Sequence, residues 1–178
     1  MSKDEESGKL IKAFLTDDEL ALVVRSHIKV EEQLDKLLVL FIAEQKYLDK
    51  IKLEFSEKVL LAAALGMDED LIQPLSVLGR IRNKFAHKTD SELTKSDVNN
   101  LYKSFSALGK EVLQQTTKNN PDRPPQLSTK YNDMTIREKF VLMTIYLHSW
   151  IRGLVHEEVG RIMQEVTEKA ANTKPEAS

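Results

Sequence analysis

The chain has 178 residues, a formal net charge of −2 at pH 7 and a pI of about 6.1. A length of this order suits one domain with a substantial core. The charge is not that of a general DNA-binding protein, although a local basic patch remains open. The chain contains no cysteine, which excludes disulfides, thiolate zinc sites and cysteine nucleophiles.

The first ten residues, "MSKDEESGKL", do not contain the apolar region of a signal peptide. No run of about 18 apolar residues follows anywhere in the chain, so no segment is typical of a membrane-spanning helix. We therefore expect a cytoplasmic protein without a membrane partner.

The first predicted helix follows the cap candidates Thr16 and Asp17. Its apolar stripe repeats at helical spacing through Leu20, Val24, His27, Glu31, Leu34, Leu38 and Phe41. His27 and Glu31 both lie on this stripe, where a carboxylate needs a partner. We predict that Glu31 pairs with Arg82, Arg80 or His87. The alternative is that His27 and Glu31 satisfy each other.

A second helical pattern, "FSEKVLLAAALG", starts after the cap candidate Ser56 and ends at Gly66. An acidic turn, "MDED", leads to a third helix that has Pro74 in its first turn and ends near His87. A fourth helix restarts after Thr94 or Ser96. The proline-rich stretch "NNPDRPPQLSTKYND" predicts a loop, and the last helix runs from about Met134 to Lys169.

No convincing alternating strand pattern occurs, so the predicted fold is all-α, a bundle of about five helices. We divide the chain into a flexible N-terminus at 1–15, a single helical domain at 16–170 and a disordered tail at 171–178. The proline-rich loop occupies 118–133 within that domain.

The stretch "GRIRNKFAHK", residues 79–88, gathers basic, amide and imidazole groups at the end of the third helix. With about 100° per residue, Arg82, Asn83, His87 and Arg80 share an arc of about 160°. Gly79 and Ala86 fall within the same arc, where small residues let another backbone approach closely. A second copy from a symmetric partner would complete a compact site.

These residue types suit RNA cleavage by transesterification. Histidine titrates in the range needed to take the 2′-hydroxyl proton or to protonate the leaving oxygen. A planar guanidinium offers paired donors to the charged transition state. The proposed roles are general acid/base for His87, phosphate clamp for Arg82 and orienting group for Asn83, with Glu31 and Arg80 in support. This chemistry requires no metal or other cofactor.

The same residues also have a structural interpretation, in which His87 and the arginines stabilise the carbonyl end of a helix. Elsewhere, His148, Arg152 and His156 form a stripe at helical spacing. Zinc is not expected there, since Arg152 puts a cation between the two histidines. A solvated or interface stripe is the better interpretation.

"IRNKFAH" resembles the HEPN superfamily, the helical domains of prokaryotic toxins, defence systems and RNA-processing enzymes. Arg82, Asn83 and His87 match the R-N-x3-H form of its Arg-x4-6-His motif. The wider stretch from Leu53 to His87 is similar to mannitol operon repressor-like proteins, with an Ala-Leu-Gly helix end, an acidic turn and a helix closing in R-N-x-F-A-H. The Gly-Pro-Leu typical of those repressors is replaced by "KLEFSEK".

The HEPN resemblance implies a helical bundle, usually dimeric, with the Arg and His of two protomers facing a shared cleft. Active members are metal-independent endoribonucleases in toxin or defence systems, where an antitoxin or regulatory protein can be the partner. Other members are non-catalytic RNA-binding or protein-interaction modules. The alternative to an RNA-directed enzyme is thus a mannitol repressor-like transcriptional regulator or an interaction module.

Overall fold

The computed structural model describes residues 18–87, 91–119, 128 and 130–172. The regular elements of these residues are all helical, which confirms the predicted all-α class. In chain order the helices are α1 Glu19–Phe41, α2 Gln45–Ile51, α3 Phe55–Ala64, α4 Glu69–His87, α5 Lys95–Ser104, α6 Ala107–Asn119 and α7 Ile136–Asn172, with a short 3-10 helix at Tyr131–Asp133 before α7.

The described part thus holds seven α-helices where the sequence pattern predicted about five. One addition is α2, whose seven residues are too few to show a helical period. The other comes from a break in the predicted fourth helix. Phe105 is buried with extended backbone angles, and the Ser106 hydroxyl accepts a 3.2 Å hydrogen bond from Gly109 N as α6 begins.

Two helix starts differ from the predicted caps. Asp18 caps α1, because its carboxylate accepts hydrogen bonds from Leu20 N at 3.0 Å and Ala21 N at 3.3 Å. The predicted caps Thr16 and Asp17 lie outside the described residues. In α3 the N-cap is Glu54 rather than Ser56, with Glu54 N donating to Glu57 Oε2 at 2.7 Å.

The turn between α3 and α4 fixes where the motif helix begins. Gly66 has a φ of +98°, and Met67 N donates to Ala62 O at 2.9 Å, so Gly66 ends α3 as predicted. Asp68 Oδ1 then accepts from Asp70 N at 3.0 Å and starts α4 at Glu69. Pro74 therefore lies inside the helix, and its predicted place in the first turn is wrong.

The long helices α1 and α7 pack along each other at the centre of the bundle, and α1 also contacts α3 and α4. The main core residues that they and their neighbours bury completely are Leu22, Val23, Leu34, Leu71, Leu75, Leu78, Leu101, Phe140, Met143 and Leu147. The backbone N–H of Leu93 donates to Glu19 Oε2 at 2.8 Å. This bond holds the segment after α4 against the start of α1, so the motif lies at that end of the bundle.

Helix α7 confirms the predicted long final helix, beginning two residues after the predicted Met134 and ending three beyond Lys169. Its first turn is closed by Thr135 N, which donates to Glu138 Oε2 at 2.7 Å. The predicted tail at 171–178 is wrong for its first two residues, which belong to α7, and the predicted loop at 118–133 is wrong at 118–119 and 131–133, which are helical. Most of the remaining loop, the N-terminus at 1–15 and the tail from 173 lie outside the described residues. No helix among the described residues is long and apolar enough to cross a membrane.

Candidate site at the end of the motif helix

Helix α4 presents the three predicted catalytic residues to solvent. Its apolar side buries Leu75, Leu78, Ile81 and Phe85 against the bundle. Because that side is fixed by the core, Arg82, Asn83 and His87 are all turned outward and exposed.

The Arg82 guanidinium is held but not neutralised. Its Nη1 donates to the neighbouring Asn83 Oδ1 at 3.1 Å. Within the described residues neither Arg82 nor His87 forms an ion pair. Arg82 also donates to no helix carbonyl there, so it does not cap α4. Its remaining donors have no partner in the part of the chain that the structure describes.

Lys84, in the middle of the same motif, has a structural role instead. Its ammonium lies 2.7 Å from Asp97 Oδ2 and donates to the Glu92 carbonyl at 2.8 Å. Burial alone would raise the pKa of Asp97, but hydrogen bonds from Lys84 and Thr94 outweigh it and hold that pKa below its usual value. Lys84 thus ties the end of α4 to the start of α5.

Arg80 does not join Arg82. It is exposed and lines a polar groove between α4 and α5, together with Gln73, Asn100 and Lys103. Arg80 precedes Arg82 by two residues, which places the two side chains about 160° apart around a helix. Arg80 thus faces the groove between α4 and α5, and within the described residues no hydrogen bond or ion pair joins it to Arg82, Asn83 or His87.

The predicted pairing of Glu31 with Arg82, Arg80 or His87 is wrong. Glu31 Oε1 accepts from Lys58 Nζ at 2.7 Å, while its Oε2 lies 3.6 Å from His27 Nδ1. The alternative prediction, a contact between His27 and Glu31, is therefore closer. Lys58 was missed because nothing in the sequence shows that α3 runs beside α1.

His27 forms the buried neighbour of this site. It is 3% exposed, and its ring centroid lies 4.2 Å from that of Phe55, while its Nε2 has no hydrogen-bond partner among the described residues. Burial lowers its pKa from 6.5 to about 4; Glu31 opposes this shift, and the charges of Arg82 and Lys58 add to it. His27 is therefore neutral at physiological pH.

Gly79 explains how Phe55 reaches His27. A Cβ at position 79 would lie 3.0 Å from Phe55 Cδ1 and 3.2 Å from its Cε1. The small residue on the polar arc of α4 thus receives an aromatic ring of the same chain rather than a partner backbone. A glycine inside a helix was the sequence signal for a close approach, but the sequence did not identify the approaching group.

The second histidine cluster does not form one surface stripe. His148 is buried at 5% exposure, Arg152 is half-buried and His156 is exposed. Helix α7 is largely buried by the bundle between Phe140 and Ile151 and mostly exposed beyond it, which accounts for the difference. Within the described residues, no group of three or more His, Asp or Glu side chains is placed to hold a metal ion.

The site therefore combines one exposed guanidinium, one exposed amide and one exposed imidazole on a single helix, beside the buried His27 and the partly buried Phe55. Such a set can bind a phosphate and exchange a proton. Comparison with known proteins adds no identity: no protein-family model, curated protein or solved structure matches the chain.

Proposed function

We propose that this chain is a HEPN-like protein that acts on RNA, and that Arg82, Asn83 and His87 form a metal-independent endoribonuclease site. The observation that supports this proposal is that the three side chains are exposed together while Arg82 and His87 have no ion-pair partner among the described residues. Arginines with structural roles are usually paired with carboxylates or helix carbonyls.

The reaction would be attack of a ribose 2′-oxygen on the adjacent phosphorus. The bond from phosphorus to the 5′-oxygen breaks, which leaves a 2′,3′-cyclic phosphate and a free 5′-hydroxyl. His87 either accepts the 2′-hydroxyl proton or supplies a proton to the departing oxygen. Arg82 donates to the phosphate oxygens as their charge increases. Asn83, bonded to Arg82, orients the guanidinium.

One copy of this face offers only one imidazole to a reaction that moves two protons. The HEPN resemblance implies a homodimer in which a second copy supplies the other. We include this arrangement in the proposal, with a toxin or defence system as the biological setting and an antitoxin or regulatory protein as a possible partner class.

The test is incubation of the purified protein with structured and single-stranded RNA in EDTA, beside the Arg82→Ala and His87→Ala variants. Cleavage by wild type alone, yielding cyclic-phosphate ends, supports the proposal. Arg25→Ala is a matched control, because Arg25 is an exposed arginine on α1. Absence of cleavage at concentrations where the protein is dimeric would reject the enzyme and favour a repressor-like regulator or interaction module.

A further inference from the structure

A second candidate site lies away from the motif, in a groove of about 660 Å³. It is bounded by the second half of α1, by α2, by the start of α3 and by Val155 of α7. The apolar part of its lining consists of Leu38, Val39, Leu40, Leu48, Leu53 and Val155. A groove of this volume with a mostly apolar lining is typical of small-molecule sites.

The polar part of the lining carries more positive than negative charge. Lys36, Lys52, Lys58 and Asp35 contribute it. Lys58 and Asp35 neutralise each other at 2.8 Å, and Lys58 is further held by Glu31 at 2.7 Å. Lys36 and Lys52 are exposed and form no ion pair with the described residues. The charge available to a ligand is therefore positive.

Helix α2 forms one wall of this groove and has few contacts with the rest of the bundle. Its Leu48 is half-buried and lines the groove, whereas Tyr47 and Ile51 are 57% and 63% exposed. Few contacts tie this short helix to the bundle, and segments of this kind open locally. We therefore expect α2 to open locally more readily than the long helices.

Lys52 ends α2 in a conformation that costs energy. Its φ of 52° is the only positive φ of a non-glycine residue within the described ranges. Such strain in a non-glycine residue is often found at ligand clamps. Lys52 also contributes to the groove lining an exposed ammonium that forms no ion pair with the described residues.

We propose that this groove binds an amphipathic anion, a monomeric long-chain carboxylate. The alkyl chain lies along Leu48, Leu53 and Val155, and the carboxylate is bound by Lys52 and Lys36. Charge complementarity supports this ligand class, because the charged groups without an ion-pair partner among the described residues are cations and most of the remaining lining is apolar. The inference does not depend on ribonuclease activity.

The experiment is calorimetric titration of the full chain with dodecanoate below its micelle concentration. We expect saturable binding of one ligand per chain. Lys52→Gln and Lys36→Gln should each weaken binding by about tenfold, since each removes one charge-assisted contact. Lys95→Gln is the matched control, because Lys95 is exposed on α5 away from the groove. Amide exchange of residues 45–52 should slow when dodecanoate is bound.

Head-group and occupant controls complete the test. Dodecyltrimethylammonium, with the opposite charge, should bind at least tenfold more weakly. Equal binding of both detergents, equal binding by Lys52→Gln and wild type, or no binding of dodecanoate would each overturn the proposal. A concentration-dependent dimer that Leu48→Glu abolishes would assign the groove to a second copy and would also overturn it.

Discussion

Two basic side chains near His27 show opposite behaviour. Lys58 is 17% exposed and lies within 2.8 Å of two carboxylates, on Glu31 and Asp35. Burial would lower the pKa of Lys58, but its hydrogen bonds to these carboxylates outweigh it and raise that pKa above its ordinary value. Arg82 is exposed and bonded only to a neutral amide among the described residues. Lys58 therefore stabilises the fold, whereas Arg82 forms no ion pair within the described residues.

Ion pairing therefore indicates which residue of a basic cluster should be tested for function. Charge and sequence spacing do not separate the two residues, since both are cations on helices that pack beside α1. What separates them is the presence of carboxylates on the neighbouring helix. Substitutions of Arg82, Lys58 and their neighbours test whether the two basic residues differ in this way.

A large effect is expected on the rate of RNA cleavage when Arg82 is replaced. Arg82→Lys keeps the charge but loses the planar pair of donors, so cleavage of RNA should fall by about 100-fold. The measurement is the single-turnover rate in EDTA with excess enzyme. Lys58→Arg keeps a cation among its carboxylates and should change the rate less than threefold, which corresponds to about 0.6 kcal/mol in activation free energy. A comparable loss in both variants would contradict the distinction.

The next effect is a pH dependence of stability caused by His27. The unfolded residue titrates near 6.5 and the folded one at about 4, so the unfolded chain binds the extra proton between these values. This contribution to stability is complete above about pH 6.5 and is lost as the pH falls to about 4. The loss is about 3 kcal/mol.

Urea unfolding at pH 7 and pH 4, compared between wild type and His27→Gln, measures this effect. The glutamine variant should lack that part of the slope, while Glu31, Arg82 and Lys58 still face the position. Identical pH slopes in the two proteins would show that His27 is not buried as a neutral imidazole.

A smaller effect concerns the ring that packs on α4. Gly79→Val places new methyl groups against Phe55 and should destabilise the fold by about 1–2 kcal/mol. Gly153→Val is the control, because a Cβ at Gly153 has no neighbour within 4 Å. Thermal or urea unfolding compares the two. If Gly79→Val were as stable as Gly153→Val, the close contact between Phe55 and α4 would be refuted.

The last pair of effects compares Lys58 with Arg82 through the free energy of unfolding. Lys58→Met leaves Glu31 and Asp35 without their cation and should cost about 1–2 kcal/mol, reduced because both carboxylates are partly exposed. Arg82→Met should change stability by less than about 0.5 kcal/mol, since it breaks no ion pair among the described residues. Reversed values would assign the structural role to Arg82.

The helical class, the approximate extent of α1 and α7 and the polar side of α4 that carries Arg82, Asn83 and His87 could all be predicted from the amino-acid sequence. Each of these depends on local pattern: the helical period of apolar residues fixes which side of a helix is buried, and Gly66 marks an end because it readily adopts a positive φ. The exposed site followed from the buried side of its own helix.

The side-chain contacts between different helices could be identified only from the tertiary structure. Lys58 is the partner of Glu31, and Phe55 covers both His27 and Gly79, because α3 packs beside α1 and α4. The contacting helices are separated in sequence, and the apolar period of one helix does not show which face of another helix packs against it. The break at Phe105 and the early start of α4 before Pro74 also depend on core packing and capping rather than on propensity.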